Sequence, residues 1–222
     1  MGGAIDIEIS QKGHIRGWRS DPQGVSRGAL VVVQEIFGVN AHMRSVTERF
    51  AAEGFVAVAP AMFDPVEIGI ELDYGPDGFA KGRELAGALG FERAVAIVEA
   101  TAGLLRDETC LIGVVGYCWG GSVAFLANTR LGLPAVSYYG ARTVPFLEEP
   151  MRAPMLFHFG TDDASIPASD IDLHLRKQPA ADVHVYPGGH AFNRDVDPTH
   201  YHAQSAALAF QRTLAFLAAQ LQ

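Results

Sequence analysis

The 222-residue chain is poor in cysteine and in basic residues, and it has no long hydrophobic run. Its two cysteines, Cys110 and Cys118, are too few for the disulfide framework of a small secreted domain. Lys and Arg total 17 against 25 Asp and Glu, with no basic cluster, which argues against a nucleic-acid partner. No stretch approaches the ~20 apolar residues of a membrane helix, and the first residues lack a signal-peptide pattern. We therefore expect a cytoplasmic protein that binds neither nucleic acid nor membrane.

The chain does contain a regular alternation of apolar and amphipathic segments. Residues 5–9 alternate with period two, and residues 14–19 could pair with them as an antiparallel edge. A buried strand is expected at 29–33, further strands at 55–60, 111–115, 135–139, 154–159 and 183–187, and helices at 42–53, 91–105, 122–130 and 201–221. This order predicts an α/β fold, a three-layer sandwich with a mostly parallel central sheet. The length favours a single domain over residues 1–222.

The most informative motif is Gly-Tyr-Cys-Trp-Gly-Gly at 116–121, directly after an apolar strand. It matches Gly-x-Ser-x-Gly, a strand-to-helix turn that exposes a nucleophile, with Cys118 in place of serine. Glycines give the backbone room for that turn, and the N–H of Trp119 then faces the same point as the sulfur. A free cysteine is otherwise usually a small buried apolar residue, and this is how we interpret Cys110.

A carboxylate and a histidine follow Cys118 in the order that a nucleophile-elbow hydrolase requires. The apolar run at 154–159 leads into a turn with Asp162 and Asp163, and such strand ends are where open α/β sheets place their chemistry. His190 lies in a glycine-flanked loop after the strand at 183–187. Each residue alone is ordinary, but the three together favour a catalytic triad in which either aspartate could be the acid.

No metal-binding motif accompanies these residues. His200 and His202 stand close together, but the sequence has no His-Glu-x-x-His or Cys-x-x-Cys frame. We therefore expect an enzyme that needs no metal and no organic cofactor.

With these motifs the chain resembles the dienelactone hydrolases of the α/β-hydrolase superfamily. The resemblance extends from Ala29 to the C-terminal helix, and its most specific stretches are 34–38 (Gln-Glu-Ile-Phe-Gly), 116–121 and 188–192 (Gly-Gly-His-Ala-Phe). It implies an α/β-hydrolase fold and a carboxylic ester hydrolase, a carboxymethylenebutenolidase, in the degradation of aromatic compounds. That activity converts 4-carboxymethylenebut-2-en-4-olide to maleylacetate.

The resemblance also implies catalytic roles. Cys118 would attack the carbonyl carbon, and His190 would maintain its thiolate. Asp163, which stands four residues before a proline as in the family, would orient His190, although Asp162 remains a competitor. The backbone N–H groups of Ile36 and Trp119 would form the oxyanion hole.

Further roles concern the control of the nucleophile and the binding of substrate. By resemblance, Glu35 would contact the resting Cys118, control its ionisation and swing toward Arg194 when substrate binds. Arg194 could also bind a substrate carboxylate in a bidentate fork, while Phe37 and Tyr139 would line the substrate site. On the residues alone, Glu35 could equally be a surface charge and Arg194 a solvated loop arginine.

The chain departs from the family where the substrate is chosen. Related enzymes commonly carry a second arginine after the strand at 55–60, whereas here Asp64 and Glu67 precede the first cation, Lys81. We expect the irregular segment at 64–78 to pass over the active-site face. The alternative to dienelactone is therefore a neutral ester or another lactone, hydrolysed by a broader carboxylesterase.

Two other classes of protein are also compatible with the motifs. A non-catalytic module that binds a carboxylate ligand would keep the pocket but turn over no activated ester. A redox-responsive thiol protein would oxidise Cys118 to sulfenic acid, but Cys110 lies roughly 25 Å away along the strand, too far to resolve it. The sequence does not indicate an oligomeric state.

Overall fold

The computed structural model describes residues 2–9 and 13–221, which form a sheet flanked by helices. The described residues contain eight strands, in the order β1-β2-β4-β3-β5-β6-β7-β8. The strands are β1 (Gly3–Ile9), β2 (Gly13–Ser20), β3 (Ala29–Val33), β4 (Val56–Pro60), β5 (Ile112–Tyr117), β6 (Ala135–Tyr138), β7 (Met155–Gly160) and β8 (Asp182–Tyr186). The helices are α1 (Ala41–Ala52), α2 (Pro76–Arg106), α3 (Trp119–Leu131), α4 (Ala168–Lys177) and α5 (Ala203–Gln220). The predicted α/β class with a mostly parallel sheet is confirmed.

Two compact units can be described separately. The first contains the described residues up to Val114 together with Leu221, and the second runs from Val115 to Gln220. The expectation of one domain over 1–222 stays a prediction.

In the first unit, strands of two kinds follow the two predicted sequence patterns. The alternating strands β1 and β2 pair antiparallel, with Ile7 opposite Ile15 and both side chains buried. The apolar strands β3 and β4 pair in parallel and are buried along their whole length, as a continuous apolar run indicates. Helix α1 begins after Asn40, whose side chain accepts the N–H of Met43 at 3.2 Å.

Helix α2 is twice as long as the sequence predicts. Only 91–105 was expected to be helical, but the helix begins at Pro76 and includes a break at Gly90, where φ is 74° and ψ is 160°. The additional turns were missed because residues 76–90 contain four glycines, which are weak helix formers. Gly82 is required there, since a Cβ at this position would collide with the carbonyl of Ile36. The missed signal was Pro76, a residue favoured in the first turn of a helix.

One prediction about the first unit, that Cys110 is buried, is wrong. The Cys110 side chain is exposed, not buried, because β5 begins only at Ile112 and leaves Cys110 in the turn after α2. The backbone of that turn is held by Thr109, whose hydroxyl accepts the N–H of Leu111 at 3.1 Å.

The second unit is built around parallel strands. β6 pairs with β7 and β7 with β8, and Tyr138 lies opposite His158 at the end of the β6–β7 register. Helix α3 starts one residue after β5 ends and is buried over most of its length. Helix α5 begins at Ala203, two residues later than the sequence pattern indicates.

Candidate active site

Cys118 occupies a sharp turn between the end of β5 and the start of α3. Its backbone has φ 54° and ψ −121°, a conformation that is costly for any residue with a side chain. The turn is held on both sides: the N–H of Cys118 donates to Tyr138 O at 3.0 Å, and that of Gly121 donates to Cys118 O at 2.9 Å. A Cβ at Gly116 would collide with the backbone of Gly120. The glycines of the motif therefore allow the tight strand-to-helix turn.

Three side chains of the second unit form a hydrogen-bonded line. The imidazole of His190 lies between the other two, with Nε2 3.1 Å from Cys118 Sγ and Nδ1 2.7 Å from Asp163 Oδ2. The side chain of Asp163 is fully buried, whereas that of His190 is 25% exposed. The other carboxylate oxygen, Oδ1, accepts the N–H of Ser165 at 2.8 Å. The carboxylate is therefore fixed in place, while the imidazole and sulfur can be reached from solvent.

The two aspartates of the turn after β7 have different surroundings. Asp163 contacts His190, whereas Asp162 is exposed and its backbone N–H donates to Gly188 O at 3.0 Å. The geometry thus favours Asp163 as the partner of the histidine, where the residues alone left the choice open.

The charges around His190 favour its protonated form. Burial opposes the charged imidazolium, but the negative charge of the Cys118 thiolate and the hydrogen bond to Asp163 outweigh it and raise the pKa of His190 to about 10. At neutral pH the ring therefore carries two N–H groups, one directed at the carboxylate and one at the sulfur. An imidazolium beside a cysteine sulfur is the kind of surrounding that favours the reactive thiolate form of cysteine.

Backbone strain is concentrated around these side chains. Among the described residues, the non-glycine residues with positive φ are Cys118, Tyr139 and Ala191. Tyr139 packs its ring against His190, with the centroids 5.1 Å apart, and Ala191 follows His190 directly. Such conformations persist only where surrounding contacts enforce them, and they are common at functional sites.

Arg194 is buried on the loop that follows His190. It is 5% exposed, and Nη1 donates to Asp197 Oδ2 at 3.0 Å. Its N–H donates to Ala191 O at 2.9 Å, which fixes the turn that contains both residues. The alternative of a solvated loop arginine is therefore wrong.

Trp119 is the first residue of α3 in the second unit and is buried, whereas three other predicted site residues lie on a turn of the first unit, at positions 35–40. Glu35, Ile36 and Phe37 are all nearly inaccessible, at 1%, 5% and 3% exposure. Glu35 is therefore not a surface charge, and Phe37 packs edge-on against Tyr74 with ring centroids 4.7 Å apart. The catalytic contribution of these three residues stays a prediction.

The 35–40 turn is fastened by the segment at 70–74. Leu72 donates its N–H to Phe37 O at 2.9 Å, and Glu71 forms a β-bridge with Gly38. Arg44 links the two, because its Nη1 lies 2.8 Å from Val39 O and 2.7 Å from Glu71 Oε1. Part of the segment at 64–78, which we expected over the active-site face, thus holds the 35–40 turn in place within this unit. Its relation to the active-site face stays a prediction.

The acidic residues of the same segment are engaged in local contacts. The carboxylate of Asp64 is 4% exposed and accepts the N–H groups of Arg16 and Gly69, both at 2.9 Å. Glu67 pairs with Lys81, whose Nζ lies 2.9 Å from Oε2. Asp64 and Glu67 are therefore each compensated by a local partner. This weakens the argument that their charges repel an anionic substrate.

The described residues, 2–9 and 13–221, lack both a metal-binding cluster and a membrane-spanning helix. They contain no group of three or more His, Cys, Asp or Glu side chains placed to hold a metal ion. In the same part of the chain, no helix is both long enough and apolar enough to span a membrane.

Two buried residues of the second unit, His158 and Thr213, were not among the predicted site residues. Both are inaccessible, and their side chains are hydrogen-bonded 2.9 Å apart. A histidine within an otherwise apolar strand was the one signal that could have drawn attention to them.

Comparisons with known proteins agree with the geometry. Residues 15–221 match the sequence model of the "Dienelactone hydrolase family". The chain is 35% identical to the carboxymethylenebutenolidases of Pseudomonas putida and Pseudomonas knackmussii, over 85% of this chain and 84% of each relative. A crystal structure of a Klebsiella pneumoniae protein assigned to the dienelactone hydrolases superposes with a TM-score of 0.86. It covers 98% of this chain and 99% of that one, at 28% identity. A dienelactone hydrolase-like promiscuous phosphotriesterase from metagenomic libraries, 19% identical, shares the fold with a TM-score of 0.78 and covers 99% and 98% of the two chains.

Proposed function

This chain belongs to the dienelactone hydrolase family of carboxymethylenebutenolidase-like α/β-hydrolases, and from that premise we propose that it hydrolyses a lactone through a Cys118–His190–Asp163 triad. The substrate that we propose is dienelactone, 4-carboxymethylenebut-2-en-4-olide, which gives maleylacetate. The observation that carries the proposal is the continuous line of contacts from sulfur to imidazole to carboxylate, 3.1 and 2.7 Å long.

The first half of the reaction forms a thioester. The thiolate of Cys118 attacks the lactone carbonyl carbon, the C–S bond forms, and the carbonyl electron pair moves onto oxygen. The N–H groups of Trp119 and Ile36 stabilise this oxyanion, which develops only in the transition state. When the intermediate collapses, the ring C–O bond breaks and the imidazolium of His190 donates its proton to the leaving oxygen.

The second half releases the acid. Neutral His190 takes a proton from water, the hydroxide attacks the thioester, and collapse of the second intermediate breaks the C–S bond. The products are a carboxylic acid, which ionises, and the Cys118 thiolate beside a protonated His190. Asp163 keeps Nδ1–H directed at its own oxygen, so that Nε2 faces the reacting atoms in both halves.

Substrate binding is assigned to buried groups. Arg194 is proposed to hold the carboxylate of dienelactone, because a buried guanidinium binds a carboxylate more strongly than a solvated one. Tyr139 and Phe37 are proposed to contact the ring, and Glu35 to control the ionisation of Cys118. A broader carboxylesterase that acts on neutral esters is the second candidate, since residues 61–68 contain no cation.

The test is steady-state hydrolysis of cis- and trans-dienelactone and of p-nitrophenyl acetate. Cys118→Ala should lower kcat/KM for dienelactone by roughly a thousandfold or more, as expected for the loss of a nucleophile. The matched control is Cys110→Ala, which removes an exposed thiol outside the proposed site and should leave both rates unchanged.

A second variant separates the two candidate substrates. Arg194→Gln should raise KM for dienelactone and leave KM for p-nitrophenyl acetate unchanged, because only dienelactone carries a carboxylate. Thiol-dependent turnover of the neutral ester alone would instead support the carboxylesterase. Turnover of neither substrate would favour the non-catalytic module and contradict the proposal.

A further inference from the structure

A line of hydrogen-bonded side chains crosses the interior of the second unit. Tyr138 Oη lies 2.7 Å from Thr213 Oγ1, which lies 2.9 Å from His158 Nε2, and His158 Nδ1 lies 2.8 Å from Tyr186 Oη. All four side chains are at most 2% exposed. We call them the Tyr138–Tyr186 chain. It joins β6, α5, β7 and β8, although Thr213 is 75 residues from Tyr138 and 55 from His158.

The imidazole in the middle of this chain is neutral. Burial, reinforced by the nearby charges of His184 and Arg212, holds the pKa of His158 well below its ordinary value. A neutral ring has one N–H donor and one acceptor nitrogen. Both nitrogens are satisfied only when one neighbouring hydroxyl donates and the other accepts. The hydroxyls of Thr213 and Tyr186 are therefore oriented together, and the chain behaves as one unit.

Two residues of the chain also hold the nucleophile side of the site, through their backbones. The carbonyl of Tyr138 accepts the N–H of Cys118 at 3.0 Å, and the carbonyl of His158 accepts the N–H of Tyr139 at 2.8 Å. Tyr139 in turn packs on the ring of His190, at 5.1 Å. Both residues that donate these bonds, Cys118 and Tyr139, have strained positive φ values.

Tyr186, the residue of this chain on β8, contacts the segments that carry Asp163 and His190. The carbonyl of Tyr186 accepts the N–H of Thr161 at 2.8 Å, and Thr161 begins the turn that contains Asp163. The ring of Tyr186 packs against Phe192, two residues after His190, with centroids 5.4 Å apart. Strands β6, β7 and β8, which contact the segments that carry Cys118, Asp163 and His190, are thus joined side chain to side chain.

We propose that the Tyr138–Tyr186 chain is a positioning device, with Thr213 as its central link, that fixes the spacing of Cys118, His190 and Asp163. This inference rests on the proposed catalytic role of those three residues. Neither His158 nor Thr213 touches the reacting atoms, so both act through the backbone of the strand ends. Loss of the link leaves the fold in place and lets the strand ends shift by fractions of an ångström, which is enough to slow a reaction that requires aligned atoms.

The experiment compares Thr213→Val with Thr101→Val. Both threonines are fully buried in helices, but Thr101 Oγ1 bonds only the carbonyl of Ile97, one turn back, at 2.8 Å. Thr213→Val should lower kcat about tenfold with KM within about twofold, as for a misaligned site, and Thr101→Val should change neither. Thr213→Ser, which retains the hydroxyl, should restore most of kcat.

A readout without substrate separates this proposal from the proposed function. The rate at which iodoacetamide alkylates Cys118 reports the thiolate held against His190, whether or not dienelactone is the substrate. Measured against pH in a Cys110→Ala background, this rate should fall severalfold at neutral pH in Thr213→Val. The pH at which the alkylation rate begins to rise should be higher in Thr213→Val. Thr101→Val should match the parent protein.

The outcomes are distinct. If no ester or lactone is hydrolysed but alkylation changes as expected, the proposed function fails and the positioning role stands. Equal alkylation profiles and equal kcat in Thr213→Val and Thr101→Val overturn the positioning role. Should Thr213→Val not fold, Tyr186→Phe tests the same chain at its end, and an unchanged alkylation profile in that variant overturns the proposal.

Discussion

The 35–40 turn of the first unit and the strand ends of the second unit are held in place by opposite means. The turn is clasped by a surface pair, Arg44 with Glu71, whose side chains are 28% and 50% exposed. The strand ends are tied by the Tyr138–Tyr186 chain, which solvent does not reach. The 35–40 turn thus uses a charge pair at the surface, whereas the strand ends use hydroxyls and an imidazole in the core.

The difference predicts how each region responds to change. An exposed ion pair contributes about 0–1 kcal/mol and is screened by salt. A buried hydroxyl or imidazole that loses its partner costs about 1–3 kcal/mol, because nothing replaces the lost bond. The turn should therefore tolerate small adjustments, whereas the proposed triad should keep one geometry until a buried bond is removed.

The largest effect is expected inside the second unit, at Asp163. Asp163→Asn keeps an oxygen for the N–H of Ser165 but removes the charge that His190 contacts. We expect kcat/KM to fall by about 10²–10⁴, because the imidazole loses both its orientation and its stabilised charge. The control is Asp162→Asn, an exposed neighbour, which should stay within about twofold of the parent enzyme. An equal loss in both variants would contradict the assignment.

A smaller effect is expected from pH. His190 remains protonated up to its raised pKa of about 10, so kcat/KM should hold through pH 9 and then decline. The sign follows from the mechanism, since His190 above that pH has no proton to give the leaving oxygen. The measurement is a kcat/KM profile from pH 7 to 11. In Asp163→Asn the decline should begin at lower pH, because one of the groups that raises the pKa of His190 is gone. An unshifted decline would mean that another group titrates.

The smallest effect is expected at the clasp of the first unit. Glu71→Gln keeps the β-bridge to Gly38 but removes the charge that pairs with Arg44, so kcat/KM should fall only about twofold to threefold. In the parent enzyme, 1 M salt should produce about the same loss by screening, and in Glu71→Gln salt should add little. Glu84→Gln removes an exposed carboxylate on α2 that pairs with Lys81 and serves as the control. A large, salt-independent loss in Glu71→Gln would remove the contrast between the two regions.

Much of the sheet followed from local patterns in the sequence. The alternating strands β1 and β2 and the continuous apolar β3 and β4 were predicted because burial on one or both faces imposes those periods. The elbow at Cys118 was predicted because a thiol between glycines directly after a strand matches the Gly-x-Ser-x-Gly pattern, and an aspartate and a histidine follow it in the required order. In contrast, the first half of α2 was missed because packing against Ile36 requires a glycine there, against helix propensity.

The site was less predictable where it depends on tertiary contact. Adjacent aspartates have the same local sequence, and only the path of the chain after β7 buries Asp163 and exposes Asp162. The link between Thr213 and His158 joins residues 55 positions apart, and no local pattern records it. Cys110 was taken for a buried residue since it precedes an apolar run, but strand pairing begins after it.

The turn at Cys118 has a consequence for how such a site can change its chemistry. Three features set its conformation: the N–H of Cys118 donates to the carbonyl of Tyr138, the carbonyl of Cys118 accepts the N–H of Gly121, and Gly116 has no side chain. The sulfur takes part in none of these contacts. The scaffold therefore specifies where the proposed nucleophile stands but not which atom it is. A serine hydroxyl fits the same position after a single base change in the codon, so a lineage with this backbone can exchange thiol for alcohol without rebuilding its fold.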